Sequence, residues 1–399
     1  MLAFDLEEYQ TRLQKTKKEM ECLGIEVLLV SDPANMNYLT GYDAWSFYVD
    51  QMVVVIIDEP QPLWIGRYLD ARGAKATTWI HDDYVISYPD HYVHALNKHP
   101  MDFVAEFLIQ ISQGDRNIGI EMESFYFSVR AFERLKTGLP NALIKDASLI
   151  VNKIRLIKSE HEINMMKKAA LFTETAMTKG IQIMKDGTSE CDVGAVIYYH
   201  LLKEREGMAG DYPAIVPLLP SGEQIGQPHQ TWTERKLNHG DAAIIELSGC
   251  YKRYHVPMAR TVSIGPPSKQ LQWLSSVVSE GIQKVLDRVT PGVTCHELEE
   301  TWRHSIQKYG LEKESRIGYS VGLNYPPDWG ERTASLRKGD FTILEPNMTF
   351  HLIPALWFEN HGMEISETFR VTEHGVETFT HLPKKLLLSE EWNQGDKIS

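Results

Sequence analysis

Only four cysteines occur in the 399 residues, Cys22, Cys191, Cys250 and Cys295, and no two of them form a C-x-x-C pair. Their separation argues against a zinc ribbon and against a disulfide framework, so all four are expected to be reduced thiols in the core. Long apolar runs are also missing, and none approaches the roughly 18–20 residues that a membrane-spanning helix needs. No basic run interrupts a composition of 41 Lys and Arg against 54 Asp and Glu, a formal charge of −13. A nucleic-acid backbone or an anionic membrane is therefore a poor partner. The first residues carry Asp5, Glu7 and Glu8 where a secretory leader would place a basic region and an apolar run. A cytoplasmic location is the expectation.

What is present is ordinary globular composition, 43% hydrophobic and 24% charged, over a length that suggests two domains each with its own core. Tyr9, Leu13 and Met20 recur at near-helical spacing between Glu7 and Cys22, and Gly24 is placed to end that helix. Strands are expected at Ile25–Val30, Met52–Asp58, Leu63–Ile65 and Val85–Tyr88, with a helix over Met101–Gln110 between later ones. The first part of the chain thus reads as an α/β domain covering residues 1–152. After Arg155-Leu156-Ile157-Lys158, Ser159 and Glu162 form a capping-box pattern that opens a long helix running to about Met184. Residues 153–399 are expected to form a second domain.

Within that second part, Asp186-Gly187-Thr188-Ser189 and Pro291-Gly292-Val293-Thr294 each set a glycine turn and a hydroxyl cap before an amphipathic helix. The pattern admits an internal duplication or a chance match of two capped turns.

Several segments occur in a telling order: Asn37-Tyr38-Leu39-Thr40-Gly41, Arg155-Leu156-Ile157-Lys158-Ser159, Asn238-His239-Gly240-Asp241, Ala259-Arg260-Thr261, Gly318-Tyr319-Ser320-Val321-Gly322 and Leu344-Glu345-Pro346-Asn347-Met348. Together they resemble the creatinase, prolidase and aminopeptidase P family. The resemblance implies a creatinase-like α/β N-terminal domain followed by an α+β pita-bread catalytic domain, assembled as a homodimer. Metallopeptidases of that family hold two metal ions on Asp, Asp, His, Glu and Glu. By the resemblance, those positions fall here on Glu246, Pro257, Tyr319, Glu345 and Ser366, the last beside Glu367. Proline has no side-chain donor, and a neutral tyrosine is a poor substitute for imidazole at a divalent ion. No metal and no other cofactor is therefore expected.

A site emptied of divalent ions suits a substrate that is itself cationic, because carboxylates attract an amidinium that two metal ions would repel. Glu246 and Glu345 are the expected cation-holding groups, one of them also base or nucleophile. Either could instead be an ordinary carboxylate paired with Arg or Lys, although an unpaired charge in the apolar strand around Glu246 would be costly. The resemblance to creatinase places the catalytic imidazole at His229, an acid and base suited to neutral pH. His255, two residues before Pro257, is a weaker catalytic candidate that could equally face away from the site. For substrate binding the candidates are Tyr319, Glu367, Trp329, Trp357, Arg332 and the aromatic loop residues Trp45 and Tyr48. Such aromatics more often fill cores, Arg332 could pair with surface acids alone, and the loop enters because the family resemblance brings it to the other subunit's site.

The branch of the family that the chain most resembles opens the cyclic amidine of ectoine or hydroxyectoine to an N-acetyl-2,4-diaminobutyrate. A hydrolase acting on such a small molecule is the expectation. Creatine is disfavoured, since no arginine lies at Phe47–Gln51 and Ala259, not Glu, precedes Arg260-Thr261. Another amidino acid, a Xaa-Pro-type metallopeptidase and a non-catalytic binding module are the alternatives.

Overall fold

The computed structural model describes residues 2–393, and the chain divides after Ile154 into two compact units. In the first, six strands make one sheet: β1 Val27–Val30, β2 Met52–Ile56, β3 Leu63–Arg67, β4 Val85–Tyr88, β5 Asn117–Ile120 and β6 Leu143–Asp146, in the order β4-β3-β2-β1-β5-β6. β1 runs antiparallel to β2 and parallel to β5, so the sheet is mixed. Its central strands are apolar on both faces. Val27 and Leu29 join one core with Val54, while Leu28 and Val30 join another with Val53 and Val55, as a two-residue period requires.

Five helices accompany this sheet: α1 Leu6–Leu23, α2 Pro33–Thr40, α3 Ala71–Thr77, α4 Pro100–Gln110 and α5 Val129–Gly138. Leu13, Met20, Met36 and Leu39 from α1 and α2 cover one face, and Val104, Leu108, Ala131 and Leu135 from α4 and α5 cover the other. α1 ends where expected, at Gly24, whose φ of 60° returns its N–H to the carbonyls of Glu21 and Met20. The cysteine expectation needs correction. Cys250 and Cys295 are buried, but Cys191 is half-buried and Cys22 is exposed on the polar side of α1.

A short helix, α6 Ile150–Arg155, precedes the long α7, Glu160–Ile183, which opens on the expected Ser159 and Glu162 capping box. α7 and α8 (Glu190–Leu202) pack on a long hairpin, β7 Ala242–Tyr251 and β8 Tyr254–Ser263. A two-residue turn joins the strands, with Lys252 and Arg253 both at positive φ, 51° and 68°, the geometry that matches strand twist in tight hairpins. The helix lies close against β7: a Cβ added at Gly249 would sit 2.2 Å from the Ala169 carbonyl oxygen.

Beyond the hairpin come α9 Lys269–Arg288 and α10 Cys295–Gln307, over a second sheet of β9 Gly318–Val321, β10 Gly330–Leu336, β11 Thr349–Leu352, β14 Glu367–Thr372 and β15 Gly375–Thr378. Between β11 and β14, β12 Leu356–Phe358 and β13 His361–Met363 form a small ribbon. The sheet order is β10-β9-β11-β14-β15. The two capped turns share one local form. Gly187 and Gly292 have φ of 84° and 91°, and Ser189 and Thr294 accept the N–H groups of Asp192 and Glu297. Among the described residues no helix is long and apolar enough to cross a membrane.

One buried ion pair ties the entry of α7 to β10. Lys158 Nζ donates to Glu331 at 2.6 Å, Arg155 lies 3.7 Å from the same carboxylate, and all three side chains are at most 2% exposed. Glycine is required at 322, where a Cβ would come within 2.6 Å of Glu331 Oε1. Truncating one partner leaves the other charge buried and uncompensated. Glu331→Ala should therefore destabilise the protein by about 3–5 kcal/mol, read as a lower urea midpoint. An unchanged midpoint would show that the pair is dispensable.

Candidate active site

Alternation along β7 decides what enters a cavity of the C-terminal unit. Ile245 and Leu247 face the helices, whereas Ile244 and Glu246 line a cavity of about 720 Å³. The segment around Leu218 pairs with β7, its N–H and C=O both bonded to Glu246 backbone. That segment leads through Pro228 to His229 on the rim. It is anchored by Glu190 of α8, which accepts from Ser221 Oγ and from the backbone and hydroxyl of Thr233. His229 is exposed and held at φ 65°, a left-handed conformation that non-glycine residues seldom adopt away from constrained sites.

Among the described residues three carboxylates line the cavity, Glu246, the half-buried Asp328 and Glu364, and the second buried one is Glu364, immediately after β13. Its backbone is clamped by Thr261, whose hydroxyl accepts the Glu364 N–H and donates to its C=O at 2.9 Å each. The Glu364 side chain is 1% exposed, and its Oε1 has no hydrogen-bond partner among the described residues. Burial pushes the Glu246 carboxyl up to about 7. Burial, and then the neighbouring charge of Glu246, push Glu364 well above the usual carboxylate range, with Lys313 opposing. Two carboxylates that share one cavity release their protons in separate steps, an arrangement that can separate an acid from a base. The cations facing them are Lys313 and Arg316, from the segment entering β9. Burial lowers the Lys313 ammonium from its ordinary range, and Arg316 lies over the Tyr319 ring at 4.3 Å.

Of the expected site residues, Glu246, His229, Tyr319 and Trp357 line this cavity. Glu345 does not. It is exposed in the turn entering β11, where its N–H reaches the sulfur of Met348, and the cavity is met only later, at Ile353 and Ala355. His255 is fully buried away from the cavity, its Nε2 accepting the Ala214 N–H at 2.9 Å, and burial drives its pKa down to about 3. It is a neutral packing group, not an acid or base. Glu367 is also structural, fully buried against Arg260 at 3.4 Å and Thr380. Trp329 is buried behind Tyr319, to which its indole N–H donates at 2.7 Å. Arg332 sits on β10 outside the cavity lining. Trp45 and Tyr48 belong to the N-terminal unit, 58% and 62% exposed.

Reading the sequence missed Glu364, Lys313, Arg316 and His351. For Glu364 a signal existed: it lies two residues before Ser366, on the same side of an extended segment whose Ile365 enters the core. His351 had no motif to flag it. It pairs directly opposite Tyr319 across β11 and β9, with Nδ1 3.1 Å from the Tyr319 hydroxyl and Nε2 2.7 Å from Ser366 Oγ. These contacts join two positions where the resemblance places metal ligands in the peptidases. With Pro257 at a third position and Glu345 turned away, the side chains present do not fit a divalent pair. Among the described residues no group of three or more His, Cys, Asp and Glu side chains could hold a metal ion.

The C-terminal unit matches metallopeptidase family M24 over residues 164–373, and residues 12–157 match the creatinase/prolidase N-terminal domain. Among curated proteins, an uncharacterised hydrolase/peptidase of Sinorhizobium fredii is 43% identical, over 98% of this chain and 100% of that protein. An ectoine hydrolase of Halomonas elongata is 41% identical, over 97% and 98% respectively. Among solved structures, the prolidase of Thermococcus sibiricus superposes with a TM-score of 0.83 at 21% identity, covering 95% of this chain and 99% of that one. The prolidase of Pyrococcus horikoshii gives 0.79 at 22%, covering 94% and 100%. The fold is thus the pita-bread fold of prolidases and aminopeptidases, and the chain belongs to the creatinase and M24 family of hydrolases.

Proposed function

We propose that this protein is a hydrolase that opens the cyclic amidine of ectoine or hydroxyectoine to an N-acetyl-2,4-diaminobutyrate without a metal ion. The observation that carries this reading is the pair of buried carboxylates, Glu246 and Glu364, facing one cavity where, among the described residues, no group of three or more His, Cys, Asp and Glu side chains could hold a metal ion. Such a pair attracts an amidinium. The likeness to the Halomonas elongata ectoine hydrolase supports the substrate. Lys313 and Arg316 give the substrate carboxylate its counter-charge, in place of Arg332, the cation first expected among the substrate-binding residues.

The chemistry follows from unequal protonation. Glu246, assigned here as the base, takes a proton from water as the water oxygen bonds to the amidinium carbon. Protonated Glu364 then gives its proton to a ring nitrogen as the C–N bond breaks and its electron pair goes to that nitrogen. The adduct's hydroxyl proton returns to Glu364 as the acetamide carbonyl forms, and the proton on Glu246 leaves with the amine as an ammonium. His229, on the rim, exchanges protons with solvent. The exposed Trp45 and Tyr48 suit closure of a partner's cavity in a homodimer, and the reaction suits a small cytoplasmic solute.

Ring opening followed by NMR, with ectoine as substrate and a chelator-treated sample alongside, tests the reading. Turnover of ectoine that survives the chelator supports it. Loss on chelation would restore the metallopeptidase, turnover of creatine alone would move the substrate to another amidine, and binding without turnover would leave a binding module. His229→Ala should lower turnover by about 10²-fold, and a wild-type rate would remove this residue from proton exchange. The pH profile has a definite sign. Because Glu246 must be ionised and burial raises it to about 7, kcat/KM should rise with pH through about 7. In kcat the acid limb should move lower, since the bound cation favours the carboxylate. A flat profile across that range would exclude Glu246 as the base.

A further inference from the structure

We propose that His351 is a positioning residue that fixes the direction of the Tyr319 hydroxyl, making it an obligate hydrogen-bond donor into the cavity. The argument is a count of donors and acceptors. Ser366 Oγ already accepts the Ala259 N–H at 2.6 Å, and the acceptor available to its own hydrogen among the described residues is His351 Nε2, at 2.7 Å. If Ser366 donates there, the imidazole proton sits on Nδ1 and points at the Tyr319 oxygen, 3.1 Å away. That oxygen also accepts the Trp329 indole N–H at 2.7 Å. Both lone pairs of Tyr319 are then occupied, and its hydrogen has one direction left, into the cavity that its ring lines.

The other tautomer fails the same count. With the proton on Nε2, Ser366 Oγ would accept twice and its hydrogen would be stranded, in a residue that is 0% exposed. Tyr319 would meanwhile spend its hydrogen on Nδ1. A buried hydroxyl without an acceptor is disfavoured, so the first arrangement is assigned on hydrogen-bond satisfaction. His351 is also 0% exposed, and burial drives its pKa down to about 3, with Arg316 and Arg260 adding to the effect, so it keeps a single proton across neutral pH.

On the cyclic-amidine reading, on which this use of the donor rests, the Tyr319 hydrogen meets the oxygen that adds to the amidinium carbon beside Glu246. Tyr319→Phe should lower kcat by about 10²-fold with little change in KM. His351→Leu should cost a similar factor in the wild-type background and nothing further in Tyr319→Phe, because it acts through that hydroxyl. His351→Gln should recover most of the loss, since an amide offers an acceptor to Ser366 and a donor to Tyr319. An equal loss from His351→Leu in both backgrounds would overturn the proposal.

A second measurement needs no substrate and so separates this inference from the reading beneath it. In protein labelled with ¹⁵N-histidine, the His351 ring signals are those missing from His351→Gln. Nδ1 should be protonated and Nε2 bare, and a proton on Nε2 would overturn the assignment even if ectoine is turned over. Conversely, failure of the wild type to open any cyclic amidine would sink the proposed function while leaving the tautomer to be decided by NMR.

Discussion

Withdrawing two carboxylates from water into one cavity is the constraint around which the C-terminal unit is arranged. Among the described residues neither Glu246 nor Glu364 has a guanidinium or ammonium bonded to it, and a peptidase of this fold would neutralise such groups with metal. Here the desolvation is met in part by holding on to protons, and in part by the distant field of Lys313. A site in that condition binds a cation readily, because its arrival restores the favourable electrostatics that burial removed. The same burial that would be a defect in an ordinary core suits the cavity to the cationic substrate proposed for it.

The rest of the unit can be understood as support for that placement. Elsewhere, charges taken inside are matched at once: Lys158 with Glu331, Arg260 with Glu367. Glu190 is satisfied by hydroxyls and a backbone N–H. The contrast separates acids satisfied by protein partners from the two buried ones that face the cavity. Glu367 was expected at the site from its position in the chain, and its partners show why it serves the scaffold.

Much of the architecture was legible in the sequence. β-branched runs such as Met52–Ile56 reveal strands buried on both faces, and Ser159 with Glu162 marks a helix start through chemistry that acts over three residues. The site was only partly legible. Glu246 could be recognised because a lone carboxylate in an apolar strand has a cost. Glu345 misled because its neighbouring proline imitates a pattern, whereas exposure is decided by the turn into β11. His351 could not have been found locally, because its meaning comes from a cross-strand partner in β9 and a hydroxyl fifteen residues on in the chain.

The two-residue turn at Lys252 and Arg253 bears on how freely this enzyme can vary. It sets the register of β7 against β8, and side chains on a strand exchange faces with each single-residue slip. An insertion of one residue there, innocuous in most surface loops, would offer the register a way to turn Glu246 toward the helices and present Ile245 or Leu247 to the substrate. Loop length at the far end of the hairpin therefore helps decide which side chains of β7 meet the cavity.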